Sequence, residues 1–274
     1  AAGVKAGIKA SGKEDVAVIM STVPAAAGAV FTQNKMCAAP VIISREAAKQ
    51  PYAQVIVVNS GCANACTGEK GLADAREMAS FTAGLLDIDE KGVYVCSTGV
   101  IGHFLPMDKV RTGIADAVDQ MDENEGESAA LAIQTTDTFV KKIAYEFELG
   151  GKKARIAGIA KGAGMIHPNM ATMLTFITTD AAIAPDVLKR TVKAVADKSF
   201  NMVVVDGDTS TNDSMIVLAN GLAENEIILS EEHPDYPIFF EAFLRAAQEL
   251  AKMIAHDGEG ATKFLEVNVI GAAS

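Results

Sequence analysis

A layered α/β fold is what the sequence predicts, on three observations. Short β-branched runs recur along the chain, each closed by a glycine or polar turn. Apolar residues at helical spacing recur between them, and the two kinds of segment are interspersed rather than segregated. With 274 residues, 49% of them hydrophobic and 22% charged, the chain can bury a large core as one domain or two packed halves.

In chain order, the first strand is expected at Val16–Thr22 (VAVIMST) and the second at Gln54–Gly61 (QVIVVNSG). Both are near-continuous Val/Ile runs, the pattern of strands covered on both faces. A helix follows over Leu72–Leu86, with apolar residues returning every third or fourth position and charges opposite. Val93–Gly99 (VYVCSTG) is the next strand and ends in a Thr-Gly turn. Pro106 precedes a helix over Met107–Met121, another helical pattern covers Ser128–Phe147, and Gly150-Gly151 supplies its stop. Strands are predicted at Ala154–Gly164, Met173–Thr179, Asn201–Asp208 and Ser214–Gly221, and helices at Pro185–Asp197 and Pro237–His256. A last strand begins at about Phe264. No linker, repeat or shift in composition marks a domain break, so one folded body is expected.

Charge narrows the function. Lys and Arg number 24 against 35 Asp and Glu, a net charge of −11, which argues against a long phosphate-binding surface and hence against nucleic acid. No apolar run is long enough to span a bilayer, and the opening AAGVKAGIKASGKEDVAV lacks the apolar core of a signal peptide, so a cytoplasmic protein without membrane partners is expected. The four cysteines read as reduced thiols; Cys62 and Cys66 stand four apart, outside the C-x-x-C spacing. The histidines, His103, His167, His233 and His256, form no ligand set, and no metal is expected.

The stretch GAGMIHPNMATMLTFITTD (Gly162–Asp180) sets a small-residue joint, Ala171-Thr172, at the mouth of a strand. A threonine there can simply cap a turn. It can also attack the preceding carbonyl, turning the amide into an ester that water hydrolyses. Thr172 would then carry a free α-amine with a pKa of about 7.7–8.0, suited to serve as general base for its own hydroxyl. Donors for the resulting oxyanion could come from STGVIG (Ser97–Gly102), where a strand ends in a turn, though an ordinary turn has the same composition. NSGCANACTG (Asn59–Gly68) is a similar strand-to-turn element. Lys161 could hold a substrate carboxylate and Glu259 a substrate ammonium, while both residue types are commonly only solvated. DGDTSTND (Asp206–Asp213) lacks the glycine and glutamate of a calcium loop and reads as a structural polar turn.

Taken together, NSGCANACTG, STGVIG, TTDT, KGAGMIHPNMATMLTFITTDA, VVDGDTSTNDS and DGEGATK resemble the ornithine acetyltransferases, or glutamate N-acetyltransferases, of arginine biosynthesis, over essentially the whole chain. The resemblance implies an α/β/β/α-type sandwich with mixed sheets, shared with the self-cleaving aminopeptidases. It implies autocleavage into an α chain (1–171) and a β chain starting at Thr172, paired as α2β2 units. Thr172 would take acetyl from N-acetylornithine and pass it to glutamate, with no cofactor; some members also use acetyl-CoA as donor. By motif, Thr98 and Gly99 are implied as oxyanion stabilisers, and Thr135, Lys161, Thr172 and Glu259 as substrate contacts. Family members also have a short leading segment absent here and a longer C-terminal part, so that 172–274 corresponds to the start of the β chain. The alternatives are a related aminopeptidase or amidohydrolase that gives the acyl group to water, and an inactive amino-acid-binding module.

Overall fold

The chain, in a computed structural model, is described at residues 1–167 and 173–271. Its elements are β1 (Ala2–Val4), β2 (Val16–Phe31), α1 (Ala39–Ala47), β3 (Tyr52–Cys62), α2 (Gly68–Leu86), β4 (Val93–Val100), α3 (Met107–Asp119), α4 (Gly126–Ile133), β5 (Lys141–Leu149), β6 (Lys152–Lys161), β7 (Leu174–Thr179), α5 (Pro185–Asp197), β8 (Ser214–Ala219) and α6 (Tyr236–His256). The strands follow one hydrogen-bonded path, β4-β3-β2-β8-β7-β6-β5, with β1 beside β2. β3–β4 and β7–β8 are parallel and the other pairs antiparallel.

Strand β2 turns this path into two facing layers. Successive side chains of a strand point to opposite faces. In its first half, Val16 and Val18 join an outer core with Val55, Val57, Val93 and Val95 and with Met78 of α2 and Ile114 of α3. Ala17 and Ile19 point the other way, onto Ile56, Val58, Tyr94 and Cys96. Farther on, Ala25 and Ala27 remain in that inner core, which also holds Leu174 and Phe176 of β7 and Ile216 and Leu218 of β8. Ala26 joins a second outer core with Ile177, Val217, Leu188 of α5 and Phe243 of α6. An inner core fed by β3 and β4 from one end of the path and by β7 and β8 from the other requires the two halves to face each other. The result is helices, sheet, sheet, helices. The register between β2 and β3 shifts between Met20 and Ala25, around Pro24, the sort of irregularity that lets a strand bend from one layer into the next.

Three expectations are corrected. The stretch Ser128–Phe147 is not one helix: α4 ends at Ile133 and β5 begins at Lys141. Ile143, Tyr145 and Phe147 alternate at strand period and pack against the α6-side core. Gly150 and Gly151, at φ 54° and 80°, therefore close the β5–β6 hairpin rather than a helix. Asn201–Asp208 is no strand; a 3-10 turn at Phe200–Met202 leads into a loop in which Val205 N–H donates to the Ile166 carbonyl. Met202 and Val204 stay exposed there. The segment from Phe264 to Gly271 has no strand structure and Leu265 is 83% exposed.

Candidate active site

The parallel strands β3 and β4 end side by side, with Gly61 opposite Gly99. Gly99 has φ 130°, and a Cβ added to it would stand 2.4 Å from the Gly61 carbonyl carbon. No side chain fits, so the Thr98-Gly99 turn lies flush on β3, and Ala63 N–H donates to Val100 O at 2.9 Å to hold it. Gly99→Ala is expected to cost on the order of 2–4 kcal/mol, from backbone strain plus overpacking, read as a lowered urea midpoint.

Lys161 ends β6, paired with Leu174 of β7. Its side chain is buried, and Nζ donates to Thr98 Oγ1 at 3.1 Å. An ammonium only donates, so the Thr98 oxygen is the acceptor and its own proton stays free to be given elsewhere. Burial pulls the Lys161 pKa down, and the charges of Asp137, Asp213 and Glu259 oppose that fall.

Around this pair a cavity of about 760 Å3 is lined by Thr98, Gly99, Thr135, Lys161 and Glu259. The five sequence-predicted residues, up to 161 positions apart (259 − 98), thus meet in one space. Glu259 N–H donates to Ala163 O at 2.7 Å, and the Glu259 carboxylate lies so close over Gly164 that a Cβ there would be 2.6 Å away. Ala171 and Thr172 lie outside the described residues. The neighbour of Thr172, Met173, is buried; its N–H donates to Asp213 Oδ1 at 3.0 Å and its carbonyl accepts from Ser214 N–H at 3.1 Å.

Several wall residues escape sequence reasoning. Ile8 and Lys9 line the cavity from a loop whose N–H groups at Ala6, Ile8 and Lys9 are gathered by the buried Asp15 carboxylate. Lys9 Nζ donates to the carbonyls of Glu14 and Ala132, and burial pulls its pKa to about 8. Asp206 and Asn212, within the supposed polar turn, are also wall residues. Asp206 accepts N–H bonds from Met165 at 2.5 Å and Ile166 at 2.9 Å, so it grips the segment leading to the joint. Asn212 donates to both Ala63 O and Ser97 O and ties β8's approach to β3 and β4. Asp213 is buried, its Oδ2 has no partner among the described residues, and burial raises its pKa well above the carboxylate range. Their only signal in the sequence is the polar density of DGDTSTND beside a strand. With Lys9 and Lys161 among its lining cations and Asp206, Asp208 and Glu259 among its lining carboxylates, the cavity suits a zwitterion. Among the described residues no helix is long and apolar enough to cross a membrane.

Comparison with known proteins gives the family of the chain. The ArgJ family model matches residues 1–274. The "Arginine biosynthesis bifunctional protein ArgJ" of Caldanaerobacter subterraneus subsp. tengcongensis is 52% identical over 272 residues, covering 99% of this chain and 67% of that protein. Its namesake in Geobacillus kaustophilus is 50% identical over 273 residues, covering 99% and 66%. The chain thus spans about two thirds of the length of these relatives. The crystal structure of an ArgJ from Bacillus halodurans matches at 44% identity and a TM-score of 0.58, over 62% of this chain and 89% of that one. An ornithine acetyltransferase from Mycobacterium tuberculosis, solved in complex with ornithine, matches at 40% and 0.55, over 61% and 89%. An aminopeptidase from Ochrobactrum anthropi, a variant of the Ntn hydrolase fold, is only 13% identical but covers 90% of this chain at a TM-score of 0.54, a likeness of fold alone. Sequence over the full chain and architecture therefore agree, and the chain belongs to the ArgJ family.

Proposed function

We propose that the chain cleaves itself between Ala171 and Thr172 and then moves acetyl groups between amino acids. In the first step the Thr172 hydroxyl adds to the Ala171 carbonyl and the peptide C–N bond breaks. The resulting ester is hydrolysed by water, leaving an Ala171 carboxylate and a free Thr172 amine. In turnover that amine takes the hydroxyl proton as Oγ attacks the acetyl carbonyl of N-acetylornithine. The oxyanion is met by the Thr98 hydroxyl and the Gly99 N–H; the amide C–N bond then breaks and the proton passes to the departing ornithine amine. Glutamate's amine attacks the acetyl-threonine ester by the same path in reverse. Both substrates are amino acids, so Lys161 can hold the carboxylate of each, with Thr135 beside it, while Glu259 faces ornithine's second amine.

The observation that carries this reading is the Lys161–Thr98 hydrogen bond at the floor of a cavity that also holds Gly99, Thr135 and Glu259. The anchoring of Met173 by Asp213 and Ser214 supports a fixed start for the nucleophile's segment. The products would be residues 1–171 and a second chain beginning at Thr172, in one intertwined body, since β7 and β8 lie between β2 and β6. We read the enzyme as cytoplasmic, assembled as α2β2, independent of cofactors, and, as its relatives' bifunctional name suggests, able to take acetyl-CoA as a second donor.

Intact mass and N-terminal sequencing test the cut, and acetyl transfer from N-acetylornithine to glutamate tests the turnover. The aminopeptidase-like fold favours one second reading, a hydrolase. Acetyl release indifferent to added glutamate would select it. Gly164→Ala is expected to push the Glu259 carboxylate aside, because the clash is with the far end of a flexible side chain. Its KM for N-acetylornithine should rise roughly tenfold or more with the fold intact, whereas the KM for acetyl-CoA, which has no second amine, should barely move.

A further inference from the structure

Behind the cavity wall lies a chain of buried charges that the reaction scheme does not use. Asp137 and Lys141 have fully buried side chains, and that of Asp257 is 2% exposed. Lys141 Nζ donates to Asp137 Oδ1 at 2.7 Å and to Asp257 Oδ2 at 2.5 Å. Buried ions of one sign would be strongly destabilising alone, so a chain of alternating signs with its hydrogen bonds filled needs a reason to exist.

Its outward contacts supply one. Asp137 Oδ2 accepts the Thr135 N–H at 3.0 Å, and Asp137 Oδ1 accepts the Gly162 N–H at 2.8 Å. One carboxylate therefore pins both the turn carrying Thr135 and the strand end carrying Lys161. At the far end, Asp257 accepts from Thr138 N–H at 2.9 Å and from the Thr138 hydroxyl. Asp257 stands two residues before Glu259, whose own N–H is tied to Ala163. Three segments, remote in sequence and each presenting one cavity residue, are thus tied together by these side chains at the cavity, beyond the β5–β6 ladder that joins two of them.

We propose that Asp137, with Lys141 and Asp257, is the positioning latch of the substrate cradle, fixing Thr135, Lys161 and Glu259 relative to one another. None of the three needs to touch substrate. A second consequence concerns charge. Lys161 is buried and faces Asp137, Asp213, Lys141 and Glu259. Of these, Asp137 is the largest charge opposing the fall that burial causes, with Asp213 and Glu259 adding to it and Lys141 repelling. Asp137 itself is opposed by its burial but held below the usual carboxylate range by Lys161 and Lys141, so it is ionised across the working pH range.

The inference rests on the acetyl-transfer reading for its kinetic test but not for its direct one. In the purified protein labelled with [13C]lysine, the Lys161 Cε resonance, assigned by its loss in Lys161→Arg, gives the titration midpoint of that amine. Asp137→Asn should move the midpoint down. Lys141→Gln, which keeps a donor for both carboxylates and removes the repelling charge, should move it up. In the transfer assay Asp137→Asn should raise the KM for both N-acetylornithine and glutamate roughly ten- to a hundredfold while kcat falls less. The rise should be steeper at high pH, because the competent ammonium is lost as pH climbs through its lowered midpoint; Asp137→Glu should restore part of the loss. A folded Asp137→Asn protein with unchanged midpoint and KM overturns the latch. If that variant does not fold, a Lys141→Gln midpoint that stays or falls overturns it equally. If the parent protein moves no acetyl at all, the functional reading fails while the Lys161 titration still decides the latch.

Discussion

Thr172→Ala is expected to leave a single unbroken polypeptide and no acetyl transfer. Both losses have one cause. The hydroxyl that would open the Ala171 carbonyl is the same one that would later accept the acetyl group, and the amine that would deprotonate it does not exist until the chain is cut. Loss of a covalent nucleophile costs about 10^4-fold or more in turnover, because the remaining donors stabilise an oxyanion that no longer forms efficiently. Thr172→Ser keeps the hydroxyl and the latent amine, so partial cleavage and partial turnover should survive. Mass spectrometry reads the first outcome and transfer from N-acetylornithine to glutamate the second. An alanine variant that still turns over removes Thr172 from the mechanism.

The next largest effect belongs to Thr98. Lys161 Nζ donates to its oxygen, which orients the hydroxyl and makes its proton a better donor. Thr98→Val preserves shape and removes both functions, so kcat should fall about 10^2- to 10^3-fold, the usual cost of one oxyanion donor, with KM changing little. Self-cleavage, which passes through an oxyanion of its own, should slow as well. Thr98→Ser should keep most of the rate. An unaltered kcat in a folded Thr98→Val enzyme would assign the oxyanion to other donors.

Much of the scaffold was legible because burial on both faces writes itself as unbroken apolar runs, as at Val55–Val58, Val93–Val95 and Ile216–Leu218. Helix α5 was readable to its ends, since Pro185 opens it and its apolar stripe stops at Asp197. Strand β5 was not: in KKIAYEFEL the Glu and Lys residues favour a helix locally, and only the period-two spacing of Ile143, Tyr145 and Phe147, realised by pairing with β6, tips the balance. The far half of β2 is alanine-rich with a proline, so nothing local marks it; tight inter-layer packing selects those small side chains. NMVVVDGD misled in the opposite sense, a β-branched run that the fold spends on a loop. At the site, Lys161 and Glu259, legible as charges at a strand end and in a glycine-flanked loop, and Thr98, legible through the family motif, line one cavity. Asp137, Asp206 and Asp213 were missed because a carboxylate's role here comes from which backbone N–H groups it receives, and those partners come from segments about 25 to 40 residues away.

The strand order has a kinetic corollary. If the backbone is severed after Ala171, β7 and β8 belong to one fragment yet stay clasped between β2 and β6 of the other, through six paired positions on each side. Separating the pieces means peeling two ladders at once, so they should co-migrate until denatured. Once apart, they must find each other by a bimolecular collision, and regain of structure should depend on dilution as it never did for the newborn chain. Molecular memory of this kind makes maturation a one-way passage: the architecture is written while the polymer is whole and cannot readily be rewritten afterwards.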